Sequence, residues 1–161
     1  LPEGMTDPGA QAWLDLPAKP GKTYQISGWM RTRSVTGTGI AFIATAMPDR
    51  SRAFYADTLG LRLLADDDFS LVFDLGGVPL RVQKVRELHP QPFTSLGWQV
   101  LDAAATVEAL RARGVAFERY PFLQQDAHDL WEAPGGARVA WFKDPDGNLL
   151  RVGQVLNQGR A

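Results

Sequence analysis

The segment 141–150, with the sequence WFKDPDGNLL, limits the fold of this chain more than any other stretch. Apolar runs flank a short turn in which Pro145 fixes its own φ angle and Gly147 can adopt a positive φ. Three further side chains of the turn can hydrogen-bond its exposed backbone: Asp144, Asp146 and Asn148. The segment therefore predicts a strand, a tight turn and a second strand, which together form a β-hairpin.

Composition narrows the class of protein. A chain of 161 residues suits one domain, which can bury roughly two thirds of its unfolded surface without added cross-links. The absence of cysteine excludes disulfides, thiolate zinc sites and a cysteine nucleophile. With 17 basic and 18 acidic residues, the net charge is -1, so no general field attracts nucleic acid or an anionic membrane. We expect a small-molecule ligand as the partner.

Two further observations concern the cellular location of the protein. No apolar stretch approaches the roughly 20 residues of a membrane span. The first residues also lack the basic and apolar segments that mark a secretory signal. We therefore expect a cytoplasmic protein that does not act at a membrane.

Residues 1–37 are rich in proline and glycine and show no sustained period of 2 or 3.6, which is typical of a tail. One hypothesis is that the natural protein starts at Met30, so that the preceding residues do not belong to it. The alternative is that Tyr24, Ile26 and Trp29 form a strand or arm against a partner subunit, since large apolar residues are costly to leave in water. We interpret residues 1–37 as a flexible or foreign N-terminal arm.

Residues 38–156 repeat one order of elements twice, and residues 157–161 form a tail. In the first module, about residues 38–88, the helix begins at Pro48 and ends at Gly60. The strands predicted around this helix are 40–46, 61–64, 69–75 and 78–85.

The second module covers about residues 93–156. Its helix spans 103–113 and presents Ala103, Val107 and Leu110 on one face, by their spacing of three and four. The predicted strands are 95–101, 115–119, 131–133, 138–142 and 149–154. Because neither βαβββ module can cover its apolar face alone, we expect an α+β architecture of paired sheets with helices outside.

These two modules, the segment 54–61 (FYADTLGL) and the turn 143–148 (KDPDGN) together resemble the vicinal oxygen chelate superfamily. This is the group of glyoxalase I, extradiol dioxygenases, fosfomycin resistance proteins and bleomycin-binding proteins. The resemblance implies the glyoxalase/bleomycin resistance fold, in which two half-barrels form a cup around the ligand. One chain already carries both modules, yet such chains commonly pair, so a homodimer is one expectation.

Enzymes of this superfamily hold a divalent metal in the cup with histidine, glutamate or glutamine. Alignment on the two motifs places Ile40 and Ser95 where histidines are expected, and Arg151 where the closing glutamate is expected. Gln83 is the nearest candidate for the remaining ligand. Ile40 has no lone pair, Ser95 is a weak ligand, and a guanidinium at Arg151 would repel a cation. The resemblance implies a divalent metal, but its ligands are absent at the aligned positions, so we expect a metal-free protein with no other cofactor.

The same alignment gives a set of side chains that suit a carboxylate, phosphate or amide on a ligand. The candidate ligand-binding residues are Phe42, Gln83, Ser95, Gly97, Gln99, Trp131 and Arg151. Gly97 would leave room for a ligand, whereas Trp98 would face the helix. The alternative interpretation is that the aromatic strand residues belong to the core. Arg81 and Lys84 either point toward the cup or coat an exposed sheet face.

Acid-base chemistry has its own candidates. His128 lies beside two carboxylates in a loop, and Asp126 or Asp129 could orient its imidazole. The candidate catalytic set is His128, Asp126 and Glu132. The alternative is that His128, like His89, is a solvated surface residue.

Three functions are consistent with these observations. We favour a metal-independent protein that binds a small organic molecule in its cup, as in sequestration of a drug or toxin, because this requires shape and aromatic surface only. The alternative is a glyoxalase-like lyase or isomerase, or another enzyme of the superfamily with a non-standard site. A regulatory or partner-binding subunit is the third hypothesis.

Overall fold

The computed structural model describes residues 40–154. The predicted N-terminal arm, with Met30 and the aromatic residues near it, and the predicted tail lie outside the described residues. The strands are β1 Ala41–Thr45, β2 Arg62–Asp66, β3 Ser70–Asp74, β4 Pro79–Lys84, β5 Thr94–Gln99, β6 Trp131–Glu132, β7 Arg138–Lys143 and β8 Leu149–Gln154. The helices are α1 Pro48–Ala53, which continues as a π-helix over Phe54–Thr58, and α2 Ala103–Ala112. Within this range no helix is long and apolar enough to cross a membrane.

The strands form two four-stranded sheets with the same topology. Their orders are β1-β4-β3-β2 and β5-β8-β7-β6. In each sheet the first strand pairs in parallel with the last, and the remaining pairs are antiparallel. This arrangement confirms the prediction of an α+β fold built from two βαβββ modules.

Alternating burial along the strands divides each sheet into two faces, because successive side chains point to opposite sides. In β8, Leu150 and Val152 are buried, whereas Arg151 is exposed. Three residues of α2 are buried on one face, as their spacing predicts: Ala103, Val107 and Leu110. The core therefore lies on the helix-covered faces of the sheets, and the opposite faces remain available for a site.

The first helix packs on the first sheet and ends at a glycine. Pro48 lies in its first turn, and the N–H of Leu59 closes its end on the carbonyl of Phe54 at 2.9 Å. Gly60 then leaves the helix with φ 75°, a conformation that glycine adopts without strain. The fully buried ring of Tyr55 packs on Phe73 of the first sheet, 5.5 Å between centroids.

The predicted strand at 115–119 is wrong. Phe117 forms only an isolated bridge with Phe142, and the segment continues as an irregular loop to β6. The side chain of Gln125 bonds the carbonyls of Glu118 and Asp129, at 3.0 and 2.8 Å, and accepts from the N–H of Tyr120 at 2.8 Å. A side chain thus satisfies backbone groups that a neighbouring strand would otherwise pair with.

Candidate ligand-binding site

A recess of about 400 Å³ opens on the face of the second sheet that α2 does not cover. We call it the Arg151 recess, and the residues that line it are Thr94, Ser95, Leu96, Gly97, Trp141 and Arg151. Three of the predicted ligand-binding residues are therefore brought together by the fold: Ser95, Gly97 and Arg151.

Strand register places Arg151 at the centre of the recess. The parallel pairing of β5 with β8 sets Gly97 opposite Arg151, and the antiparallel pairing of β7 with β8 sets Trp141 opposite it from the other side. Opposed residues project to the same face of a sheet, so their side chains meet.

The predicted ligand-binding set missed three lining residues: Thr94, Leu96 and Trp141. Trp141 carried a signal that was not used, because Trp141 and Arg151 are equidistant from Asp146 at the centre of the hairpin and must therefore oppose each other. Thr94 carried no comparable signal, since its place in the recess depends on a register irregularity near the start of β5.

The side chain of Arg151 lies flat over Gly97. A Cβ atom at Gly97 would come within 2.6 Å of the Arg151 Cγ and 2.9 Å of its Nε, so only glycine accommodates this arrangement. The space that we expected above Gly97 is thus taken by the arginine itself. Within residues 40–154, Arg151 has no ion pair, whereas Arg62 and Arg138 pair with aspartates at 2.7 and 2.8 Å.

An aromatic wall stands beside the recess, formed by Tyr120, Trp131 and Trp141. The Trp141 ring lies 5.7 Å from Tyr120 in an edge-on arrangement and 6.1 Å from Trp131, between centroids. The Trp141 indole N–H donates to the Thr94 hydroxyl at 3.2 Å, which fixes the ring. Trp98 differs from these residues, because it stacks on the buried Phe142 on the helix-covered face, as predicted.

Two predicted ligand-binding residues lie on the first sheet and do not line the recess. Phe42 is 60% exposed and opposes Arg81, and Gln83 opposes Ala44 and Ser70. Gln99 lines a smaller cavity that also contacts Arg151. Trp131 contributes through the aromatic wall.

Lys84 does not point into a cup. Its ammonium group pairs with Asp66 at 2.7 Å and donates to the Asp67 carbonyl at 2.5 Å, so it closes the acidic turn between β2 and β3.

The residues at the positions of the family's metal ligands do not fit a divalent cation. Ile40 offers no donor atom, and the Arg151 guanidinium is a cation itself. No group of three histidine, cysteine, aspartate or glutamate residues capable of holding a metal occurs in the described range. Ser95 and Gln83, which lie on different sheets, add only neutral oxygens.

The three candidate catalytic residues lie outside the lining of the recess. The carboxylate that contacts the His128 imidazole is that of Glu108, at 3.0 Å from Nδ1, and not that of Asp126 or Asp129 as we expected. Asp126 instead accepts from the His128 backbone N–H at 2.8 Å and pairs with Arg138.

Asp129 and Glu132 likewise do not contact the imidazole. Burial of the Asp129 carboxylate acts to raise its pKa, but hydrogen bonds from Arg119 and Arg111 outweigh this effect and lower the pKa below its ordinary value. Such an ionised, doubly paired carboxylate stabilises the loop. Glu132 is exposed on β6.

Comparison with known proteins identifies the family. The sequence model of a protein family, described as the Glyoxalase/Bleomycin resistance protein/Dioxygenase superfamily, matches residues 35–152. No curated protein sequence matches the chain.

Solved structures share the fold. A glyoxalase/bleomycin resistance protein/dioxygenase from Nocardioides is 21% identical with a TM-score of 0.61, covering 80% of this chain and 89% of its own. A protein with the same description from Alicyclobacillus acidocaldarius is 21% identical with a TM-score of 0.58, covering 80% and 96%. Lactoylglutathione lyase from Agrobacterium tumefaciens is 18% identical with a TM-score of 0.57, covering 76% and 96%. At these identities the likeness establishes the fold and leaves the ligand to be argued from the site.

Proposed function

Because the chain belongs to the Glyoxalase/Bleomycin resistance protein/Dioxygenase superfamily, we propose that it binds a small organic molecule in the Arg151 recess without a metal. The observation that carries this proposal is the position of Arg151. Arg151 stands where the alignment expects a metal-binding glutamate, and the strand register places it at the centre of the recess. The positively charged side chain of Arg151 thus takes the place of the metal-binding glutamate, so the protein itself supplies the positive charge that a bound metal ion supplies in the enzymes of the family.

The remaining features of the recess support binding by side chains. Its volume of about 400 Å³ falls in the range of about 300–1,000 Å³ typical of small-molecule sites. Arg151 and Ser95 supply hydrogen-bond donors, and the aromatic wall supplies apolar area with little conformational freedom to lose. Sequestration of a drug or toxin requires nothing more. Catalysis would require an acid or base in reach, and His128, Asp126 and Glu132 do not line the recess.

The test combines metal analysis with a ligand screen on untagged protein. A small-molecule library is screened by thermal shift in excess EDTA, and each compound that binds is retested with zinc, nickel, manganese or iron. We expect at least one compound to raise the Tm in EDTA, because a ligand that binds only the native state stabilises it. We also expect added metal to leave that shift unchanged.

The Arg151→Glu variant sharpens this test, because it restores the residue that the alignment expects. We expect Arg151→Glu to lose the EDTA-resistant shift. Arg86→Glu is the matched control, since Arg86 is exposed and has no ion pair within residues 40–154. Stoichiometric metal in the purified wild type, or binding only in the presence of metal, would overturn the proposal in favour of a glyoxalase-like enzyme.

A further inference from the structure

We infer that the ligand is a planar aromatic carboxylate, with its anion on Arg151 and its ring against Trp141, and that Gly97 sets the position of the arginine. This inference rests on the proposed function and adds the chemical class of the ligand. It follows from the charge of the recess, from the geometry of its aromatic residue and from the close packing of Arg151 on Gly97.

The charge of the recess selects an anion. Among the six lining residues, Arg151 is the only one that carries a charge. Since no carboxylate within residues 40–154 pairs with it, its donors remain available on an exposed sheet face. A guanidinium binds a carboxylate through two parallel hydrogen bonds in one plane, which favours a planar anion.

Two hydroxyl groups add donors to the same recess. Thr94 Oγ1 accepts the Trp141 indole N–H, so its own proton is left to donate to a ligand. Ser95, the next residue, also lines the recess. No acidic side chain lines the recess that could repel an anion.

The aromatic part of the ligand follows from Trp141. Its ring is held by the bond to Thr94 and by contacts with Trp131 and Tyr120, so it presents a surface of fixed orientation. Because Trp141 and Arg151 oppose each other in the hairpin, one small molecule can reach the guanidinium and the indole together. A ring packed on tryptophan adds affinity beyond its buried area.

Gly97 acts as a positioning residue. The stem of Arg151 passes so close to Gly97 that a methyl group would displace it, with 2.6 Å between the added Cβ and Cγ. The guanidinium also lies near Gly153, where a Cβ would be 3.9 Å from its terminal nitrogen. The absence of a side chain at Gly97 therefore lets the arginine lie flat on the sheet, where Arg151 lines both the recess and the smaller cavity beside Gln99.

Three probes separate charge from aromaticity: 2-naphthoate, its neutral analogue 2-naphthamide, and the non-aromatic anion cyclohexanecarboxylate. Binding of each is measured by titration calorimetry in EDTA. We expect 2-naphthoate to bind most tightly, and each analogue to bind about tenfold or more weakly because it lacks one of the two contacts. Equal binding of 2-naphthoate and 2-naphthamide, or no binding of 2-naphthoate, would overturn the inference.

Variants then assign the contact to Arg151. We expect Arg151→Gln to weaken 2-naphthoate binding by about tenfold or more and to leave 2-naphthamide binding unchanged. Arg86→Gln is the control for the loss of one positive charge elsewhere. An unchanged affinity of Arg151→Gln for 2-naphthoate would contradict the inference.

A double-mutant cycle tests Gly97. We expect Gly97→Ala to weaken 2-naphthoate binding, and to have no further effect when combined with Arg151→Ala, because the glycine acts only through the arginine. Gly135→Ala is the matched control, since a Cβ there meets no atom within 4 Å. Additive losses would show that Gly97 does not act through Arg151.

The outcomes distinguish the two proposals. If 2-naphthamide binds in EDTA as tightly as 2-naphthoate and Arg151→Gln binds both normally, the assignment of an aromatic carboxylate fails while metal-free binding stands. If 2-naphthoate binds only when metal is added, both proposals fail together.

Discussion

Two turns occupy the same place in the two modules: the turn between β3 and β4, and the turn between β7 and β8. Among the described residues, the side chains of the first bond only within their own module, whereas those of the second bond residues of the other module. In the first turn, residues 74–78, the Asp74 carboxylate accepts from the N–H groups of Gly76 and Gly77 at 2.9 and 2.7 Å. It also pairs with Arg62 on β2 at 2.7 Å. Every one of these partners belongs to the same sheet or to the turn itself.

The second turn reaches into the other module. The Asp146 carboxylate accepts from the hydroxyls of Thr45 and Ser51, at 2.5 and 3.0 Å, and from the N–H of Ala46 at 2.7 Å. Both hydroxyl-bearing residues are fully buried. The turn therefore fastens the end of β1 and the start of α1 to the second module.

Two neighbours of Asp146 make the same kind of contact. Asp144 accepts from the Tyr55 hydroxyl at 2.9 Å, and the Asn148 amide donates to the Ala44 carbonyl at 2.9 Å. Asp144 also accepts the N–H groups of its own turn. The turn between the third and fourth strands of each module therefore has two roles. In the first module it only closes a hairpin, and in the second it also connects the two modules.

The largest expected difference between the two turns is in stability. Asp146→Ala removes the acceptor of the Ala46 N–H and of two buried hydroxyls. These hydroxyls, 2.8 Å apart, can then donate only to each other, so we expect the free energy of unfolding to fall by about 3 kcal/mol. Urea unfolding measures it. Asp74→Ala is the control at the equivalent turn, and we expect a clearly smaller loss because its partners can turn to water. Equal losses would show that the connection between modules contributes nothing beyond the hairpin.

A smaller effect is expected at Tyr55. Tyr55→Phe removes the hydrogen bond to Asp144 and keeps the buried ring, so we expect a loss of about 1 kcal/mol in urea unfolding. The control is Tyr120→Phe, because the Tyr120 hydroxyl has no hydrogen-bond partner within residues 40–154. A loss in Tyr120→Phe as large as that in Tyr55→Phe would refute the role of the Asp144 contact.

The smallest effect is a pH dependence of opposite sign at the two turns. Burial raises the pKa of Asp144 despite its hydrogen bonds, whereas the hydrogen bond from the Gly77 N–H, together with Arg62, lowers the pKa of Asp74. The contribution of Asp144 to stability is therefore full below its ordinary pKa and declines as pH rises through its raised folded-state value. The contribution of Asp74 is present above the ordinary pKa and is lost as pH falls through its lowered value.

Urea unfolding of the wild type, Asp144→Asn and Asp74→Asn between pH 7 and about pH 3 measures this difference. As pH falls, we expect the wild type to gain stability relative to Asp144→Asn and to lose stability relative to Asp74→Asn. Parallel curves for the two variants would contradict the opposite pKa shifts.

Most elements of the fold could be predicted from local patterns. Apolar and β-branched runs, the glycine at the end of each helix and the chemistry of the hairpin turns predicted all eight strands and both helices. The segment 115–119 was the exception. It meets β7 only through the Phe117–Phe142 bridge and the bond from the Glu118 N–H to the Trp141 carbonyl at 2.8 Å, and the side chain of Gln125 bonds the Glu118 carbonyl where a further strand would have paired.

The candidate site could be predicted only in part. Ser95, Gly97 and Arg151 were found because they occupy aligned positions on β5 and β8. Phe42 and Gln83 were grouped with them because the cup of the family draws on both modules, whereas the recess of this chain is lined by the second module alone.

The sequence by itself determined what depends on neighbours along the chain: the turns, the period of each strand, the amphipathic second helix and the unsuitability of Arg151 as a metal ligand. The tertiary structure alone decided that Asp146 bonds Thr45 across about a hundred residues and that Arg151 lies on Gly97. The contact of Arg151 with Gly97 depends on the register of β5 and β8, because a slip by one residue moves every side chain of a strand to the other face. The contact of Asp146 with Thr45 joins two different sheets and depends on how the modules pack. Local chemistry limits the partners that a side chain can take, and the packing of the two modules selects among them.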